Sequence, residues 1–385
     1  MAITETFNRF VRSEQAGGMV LVASTAVALA LTNSGAGPAY LAFWESNLGG
    51  ITLEHWVNDA LMAVFFLLIG LELERELYVG ELSELKKASL PMVAAIGGMA
   101  APALIYYGLN AGTPMQAGFG IPVATDIAFA LAALALLGNR VPPALKVFLV
   151  AFAVADDLGA ILIIALMYTA DFSAVYLAGA IAMWLVLIAF NRVLRVSSLV
   201  PYLVGGVAMW FLVLQSGVHA TLAGVLLAFA IPFAPKRGVS PSHRLEHALH
   251  MPVAFFILPL FALANAGIVI DAGSGQSLLT MSSLGISLGL LVGKPVGVAV
   301  LCYIATRLGL CSLPPELRWS HIVGAGVLGG IGYTMSIFIT NLAFVEDPSV
   351  VNSSKIAILF ASLSAGALGV LWLRFLSPPA ADNKS

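Results

Sequence analysis

Asp126, Asp156, Asp157 and Lys294 each interrupt a long apolar stretch. An ionised side chain at a bilayer centre costs about 2.5 to 3.5 kcal/mol on insertion scales, so each needs a partner or a use. A helix-to-helix hydrogen bond would account for one buried acid, but three acids with a lysine ask for more. Asp156 and Asp157 are adjacent and project about 100° apart on a helix, so they divide labour rather than grip one ligand symmetrically. Lys294 is the cation available at depth. Asp156 is its preferred partner, although spacing alone does not rank the two aspartates. Carboxylates, the Thr125 hydroxyl and freed backbone carbonyls suit a hard cation such as Na⁺. The same carboxylates bind protons, and burial moves proton release by a carboxyl toward cytoplasmic pH. Cation and proton competing for one site of alternating access is the chemistry this set supports. No GxxxxGK[ST] loop occurs, so no nucleotide is expected.

The elements around such a site must be apolar. Of 385 residues, 60% are hydrophobic and 10% charged, against about 25% charged in soluble domains. So few charges cannot cover a globular surface, and the bilayer is the solvent. Apolar stretches of about 17 to 25 residues predict an all-α integral membrane protein of about twelve transmembrane helices, centred near Ala23, Phe65, Gly98, Ala128, Leu158, Leu185, Met209, Leu226, Leu258, Leu291, Gly330 and Leu363. Short loops make residues 1–385 a single polytopic membrane transporter unit. The run Met19 to Leu31 behind Arg9 and Arg12 is only superficially like a signal peptide and is expected to stay as the first span. Of the eighteen Lys and Arg residues, all but Lys294 and Lys355 fall on one side of the alternation. Glu45, Asp171, Asp271, Glu346 and Asp347 fall opposite, so both termini are expected in the cytoplasm. A net charge of -2 without a basic cluster argues against nucleic acid. Cys302 and Cys311 lack the spacing of a disulfide framework or a zinc site.

Two spans read as broken. The fourth contains Gly118-Phe119-Gly120-Ile121-Pro122-Val123-Ala124-Thr125-Asp126, and the eleventh runs from Gly324 through Gly329-Gly330-Ile331-Gly332 to Thr334. Proline removes a backbone donor and glycine loosens a helix, so both are expected to unwind. They lie an odd number of spans apart. Spans three to five and ten to twelve therefore run in opposite senses, as inverted-topology repeats.

At these residues the chain resembles the bacterial NhaA-type Na⁺/H⁺ antiporter family. The likeness rests on Ala124-Thr125-Asp126-Ile127-Ala128-Phe129-Ala130, Asp156-Asp157-Leu158-Gly159-Ala160, Ser216-Gly217-Val218-His219-Ala220-Thr221, Gly293-Lys294-Pro295 and Gly332-Tyr333-Thr334-Met335-Ser336. It runs from about Glu14 to Arg374. The resemblance implies twelve helices with discontinuous, crossed helices four and eleven, a core bundle plus a dimer interface portion, and a homodimer in the bacterial inner membrane. It also implies electrogenic export of one Na⁺ or Li⁺ for two inward protons, serving Na⁺ and pH homeostasis without a cofactor. Asp157 would be the main cation ligand and proton carrier, and Asp156 its neighbour on the transported Na⁺, paired with Lys294. Thr125 and Asp126 would line the crossing and offset helix-end charge.

The resemblance places pH sensing at Glu246, His247 and His250 on span nine with Glu72, Arg75 and Glu76 on span two. Histidine titrates near neutral pH, while a solvated ion-pair fringe is the bland account of the same charges. Glu74 departs from the family pattern, which tends to a basic residue there. His219 reads as packing rather than ligand. The outward loop from Asn33 to Glu54 carries a short strand after a glycine turn at Gly50-Ile51-Thr52-Leu53-Glu54. By resemblance it is the hairpin that joins two protomers; its own residues support an interfacial loop anchored in lipid by Trp44 and Trp56. A symporter for an organic anion would need basic or polar residues beyond Lys294 around a larger cavity. A receptor or scaffold would need an extramembrane domain. The sequence offers neither, and an enzyme is not expected.

Overall fold

The computed structural model describes residues 2–169, 173–233, 240–271 and 273–375. Asp171, Lys236, Arg237 and Lys384, which entered the orientation above, lie outside the described residues.

An apolar run spans lipid as a helix because only the helix satisfies its own backbone without water. Among the described residues, eight helices have the length and hydropathy for this: Gln15–Thr32, Leu53–Tyr78, Lys86–Asn110, Pro143–Met167, Ala174–Arg192, Pro241–Asn265, Met281–Arg307 and Pro348–Phe375. The pair Trp319–Gly329 and Tyr333–Ala343, bent by 45° at its break, makes a ninth if taken as one span. The chain is a multi-pass helical membrane protein.

Apolar runs alone predict about twelve spans, and the three unaccounted runs fall on shorter pieces. Val200–Gln215 and Leu222–Ala230 flank Gly217, whose φ of 79° ends helical geometry between them. At 1.5 Å per residue Val200–Gln215 reaches about 24 Å, short of a hydrocarbon core of about 30 Å. The run around Ala128 is a 3-10 segment, Pro114–Gly120, then Ile127–Ala135, with irregular backbone between. Hydropathy counts apolar residues wherever they stand. Helix length stops where a proline or glycine interrupts the backbone.

The chain divides into two compact units, one of Met1–Leu29, Glu84–Ala160 and Ile268–Ser385, the other of Ala30–Ser83 and Ile161–Gly267. Seven helices lying wholly or, for α3, mostly in the first carry the buried charges or pack around them: α1 (Leu85–Asn110), α2 (Ile127–Ala135), α3 (Pro143–Met167), α4 (Met281–Arg307), α5 (Trp319–Gly329), α6 (Tyr333–Ala343) and α7 (Pro348–Phe375). Helices α1 and α4 touch backbone to backbone, since a Cβ on Gly97 or on Gly297 would strike the other's carbonyl. Small residues at such a seam let two helices approach in lipid. One turn before Gly297 stands Lys294, directly after a π-helical turn at Gly289–Gly293. π-turns of this kind recur at functional sites.

In the second unit Leu71, Tyr202, Met209, Leu227 and Leu245 belong to one apolar core. Its 33–54 loop forms a two-stranded antiparallel hairpin, β1 (Asn47–Leu48) with β2 (Ile51–Thr52), in register Asn47 to Thr52 and Leu48 to Ile51. Gly49 and Gly50, at φ of 70° and 100°, make the two-residue turn that matches strand twist. The strand ends earlier than the sequence suggested. Thr52 accepts the His55 N–H at 3.2 Å and so starts a helix at Leu53. The Trp56 indole N–H donates to the Leu48 carbonyl at 2.9 Å and holds the hairpin to that helix.

Candidate functional site

The unwound backbone ahead of α2 meets the break between α5 and α6. The Asp126 N–H donates to the Ile331 carbonyl at 2.6 Å, and the Ser336 hydroxyl donates to the Ile121 carbonyl at 2.7 Å. Each break thus satisfies backbone groups freed by the other, which irregular backbone within a membrane requires. Asp126 is 3% exposed and joins them most tightly. Its Oδ1 accepts the Phe129 N–H at 3.0 Å as the N-cap of α2. Its Oδ2 accepts the Thr334 N–H at 3.1 Å and the Thr334 hydroxyl at 2.7 Å, at the start of α6. One carboxylate therefore faces the positive N-terminal ends of two helices.

Beside it, α3 supplies Asp156 and α4 supplies Lys294, both fully buried. Lys294 Nζ donates to Asp156 Oδ2 at 2.6 Å and also to the Val123 carbonyl in the unwound stretch. The Phe152 ring, one turn before Asp156, lies 5.9 Å from Nζ, within reach of a cation–π contact. The Thr125 hydroxyl sits 2.7 Å from Asp156 Oδ2 and 2.9 Å from the Gly329 carbonyl, and its single proton serves one at a time. Asp156 Oδ1 is buried without a hydrogen-bond partner. Asp157 follows at 2% exposure, and its carboxylate also acts electrostatically on Lys294.

Of the expected site residues, Thr125, Asp156 and Lys294 are joined directly, Asp126 is the next residue to Thr125, and Asp157 the next to Asp156. Lysine contact goes to Asp156, a choice the spacing left open. Sequence reasoning assigned no role to Thr334, Ser336, Phe152 or the Val123 carbonyl. The two hydroxyl residues carried a readable signal, since Ser and Thr just past a glycine break can satisfy freed backbone. Nothing comparable marks Phe152 or one carbonyl among many. The set is rich in acceptors: two carboxylates, a hydroxyl and irregular backbone carbonyls face one ammonium. Oxygen donors of this kind accept a hard monovalent cation or a proton.

The second unit holds the residues expected to sense pH. Arg75 Nη2 pairs with Glu76 at 3.1 Å and Nη1 with Glu246 at 3.2 Å. Glu72 and Glu74 are buried nearby in sequence, and Glu74 accepts the Ser242 hydroxyl at 3.0 Å. His243 meets Glu246 at 3.4 Å, whereas His247 is exposed and His250 half-buried. Periodicity explains His243 rather than His247 beside Glu246, because positions three apart share a helix face and adjacent ones do not. His219 is half-buried and hydrogen-bonded to the Tyr168 backbone, with Nε2 unpartnered.

With this geometry in place, comparison with known proteins is specific. The family model described as Na⁺/H⁺ antiporter 1 matches residues 8–373. The chain is 62% identical over 375 residues to the Na⁺/H⁺ antiporter NhaA of Dechloromonas aromatica (strain RCB), covering 97% of this chain and 96% of that protein. It is 55% identical over 374 residues to the Na⁺/H⁺ antiporter NhaA of Cytophaga hutchinsonii, covering 97% and 96%. Against the Na⁺/H⁺ antiporter NhaA of Vibrio campbellii it is 49% identical over 379 residues, covering 98% and 97%.

Proposed function

The chain belongs to the Na⁺/H⁺ antiporter 1 family, and from that premise we propose that it is a secondary active antiporter exporting Na⁺, and Li⁺, in exchange for inward H⁺. One observation carries the reading: fully buried Asp156 is bound by Lys294 and Thr125 through Oδ2 while Oδ1 has no partner, beside Asp157 and unwound carbonyls. Asp157 is the main cation ligand and proton carrier, and Asp156 assists it. A cation entering at these oxygens must displace protons or the Lys294 ammonium, because the low-dielectric site cannot hold all the positive charge at once. Asp126 and Thr125 keep the two broken helices together through the exchange.

Exchange is electrogenic, with two protons entering for each cation, and Na⁺, Li⁺ and H⁺ are cargo with no resident cofactor. Twelve crossings form one transporter unit, with spans three to five and ten to twelve inverted and the breaks of four and eleven crossing. The molecule lies in the bacterial cytoplasmic membrane with both termini in the cytoplasm. Surrounding lipid and a second copy, joined through the 33–54 loop, are its partners; nucleic acid and nucleotide are not. The cluster of Glu72, Arg75, Glu76, Glu246, His247 and His250 regulates exchange with pH and so serves Na⁺ and pH homeostasis.

The test uses the full chain in liposomes with a trapped pH dye. A Na⁺ pulse should move protons in the wild type, while Asp157→Asn, inserted at the same level, should give no signal at any pH. Exchange by that variant at the wild-type rate would remove Asp157 from its role.

A further inference from the structure

We propose that the ends of α4, α5 and α7 that carry Arg307, Arg318 and Arg374 form a binding site for the headgroup of an anionic phospholipid. The site rests on the cytoplasmic orientation proposed above, and nothing in cation exchange requires it. Arg307 lies 5.2 Å over the Tyr303 ring and donates its Nε–H to Tyr303 Oη at 3.0 Å. That bond fixes the guanidinium but leaves its terminal fork unspent. Forks of this geometry bind phosphate oxygens in pairs. The Trp319 ring meets Tyr303 edge-on at 5.4 Å, so Arg307 rests on an aromatic shelf shared by α4 and α5.

Arg318 immediately precedes Trp319. Arg374 follows two residues after Trp372, whose indole N–H donates to the Ser320 carbonyl at 2.9 Å. Arg374 itself lies 5.7 Å from the Phe375 ring, and all three guanidinium groups are exposed on helix ends that meet near residues 318–320. Some charge on this side is paired, as in Arg75 with Glu246 and Lys87 with Glu84. Among the described residues, none of these three arginines has a carboxylate within ion-pair distance. Glu316, exposed two residues before Arg318, is the one acid in that loop.

The partner is read from the setting. Gly309, at φ of 73°, turns the chain out of α4 and leaves Leu308 and Leu310 at 69% and 68% exposure. Exposed leucines beside a fixed guanidinium, with tryptophans at the same level, match the boundary between acyl chains and headgroups. An anionic headgroup meets the charge while its acyl chains meet the leucines. A protein partner would leave those leucines without lipid.

The purified full chain in dodecyl maltoside is titrated with dioleoyl phosphatidylglycerol or dioleoyl phosphatidylcholine. Thermal unfolding and native mass spectrometry read the bound lipid, without any transport assay. Phosphatidylglycerol should raise the unfolding midpoint and remain bound, and phosphatidylcholine should do neither. Arg307→Gln, Arg318→Gln and Arg374→Gln should each weaken apparent affinity about fivefold, the worth of one basic side chain at an anionic surface. Arg307→Lys keeps the charge, loses the fork and the stacking, and should fall between. Arg140→Gln, distant in sequence on the same side, should bind as the wild type does. Equal protection by the two lipids, equal protection by inorganic phosphate, or undiminished binding by Arg307→Gln with Arg318→Gln would overturn the proposal. A chain that binds lipid but fails to exchange Na⁺ would instead overturn the transport reading alone.

Discussion

A fully buried ammonium with three donors must find acceptors in protein, and Lys294 finds Asp156, the Val123 carbonyl and the face of Phe152. Removing one partner of such a pair leaves the other charge buried and unpaired, which costs more than the pair itself contributes. Asp126 is held differently, by neutral donors from two helix starts. Its link to Thr334 can be cut cleanly. Thr334→Val keeps the shape and the backbone N–H but removes the 2.7 Å hydroxyl bond. Hydrogen bonds to charged groups are worth about 1.5 to 3 kcal/mol in soluble proteins, while those measured between membrane helices average about 0.6 and reach about 1.7. The expected loss for Thr334→Val is therefore about 1 to 1.5 kcal/mol. It should appear as a lower unfolding midpoint in detergent and, in liposomes, slower exchange. Thr334→Ser, which retains the hydroxyl, should restore both. Wild-type behaviour by Thr334→Val in both assays would show that the bond holds nothing the site uses.

Helices in this chain end where their caps and breakers stand, and that is where the sequence is most and least readable. Pro122 and the glycines from Gly324 to Gly332 announce both interruptions, and the structure has irregular backbone at each. The depth of Asp126, Asp156, Asp157 and Lys294 is readable too, because apolar neighbours on both sides leave no other place for them. Partnership is less legible. That one Asp126 caps two helices depends on residues 208 positions apart meeting in space. No local pattern encodes that. His243 in place of His247 beside Glu246 was available from helical spacing alone, since three residues separate the pair. The last span begins with a cap of the ordinary kind. Asp347 Oδ1 accepts the Ser349 hydroxyl at 2.7 Å and the Ser349 and Val350 amides at 3.2 Å. The Ser349 hydroxyl and the Val350 amide hold its carboxyl below the ordinary carboxylate range. A carboxyl with a depressed native pKa adds stability above its unfolded pKa of about 3.9, and loses it as pH falls through the native value. Asp347→Ala should thus lower the unfolding midpoint slightly at pH 7, with the difference from wild type shrinking as pH falls below about 3.9 and through the native value. A difference that persists unchanged at pH 3 would mean the carboxylate's charge is not what caps α7.

At the scale of the molecule, Thr125, Asp126, Asp156 and Lys294 all belong to one compact unit, while the hairpin and the Arg75 cluster belong to the other. The proposed site and its proposed regulator therefore belong to different units, and the proposed charge movement concerns the first. Two acids, Asp156 and Asp157, beside a single Lys294 give room for two protons to leave when one Na⁺ arrives. A cycle of that kind moves one net charge. At 100 mV, interior negative, this adds about 2.3 kcal/mol to export, which alone multiplies the sustainable Na⁺ gradient by about fifty, before the second proton adds its own share of the pH difference. On a solid-supported membrane, a Na⁺ jump should give wild-type liposomes a transient current whose amplitude follows the exchange rate across pH. Asp156→Asn removes one titrating carboxyl and leaves Asp157 to carry cation and proton in turn. Any exchange that variant retains should be electrically silent and should no longer respond to an imposed potential. Silent exchange by the wild type would reduce the ratio to one proton per cation, and Asp156 would then be only the counter-ion of Lys294.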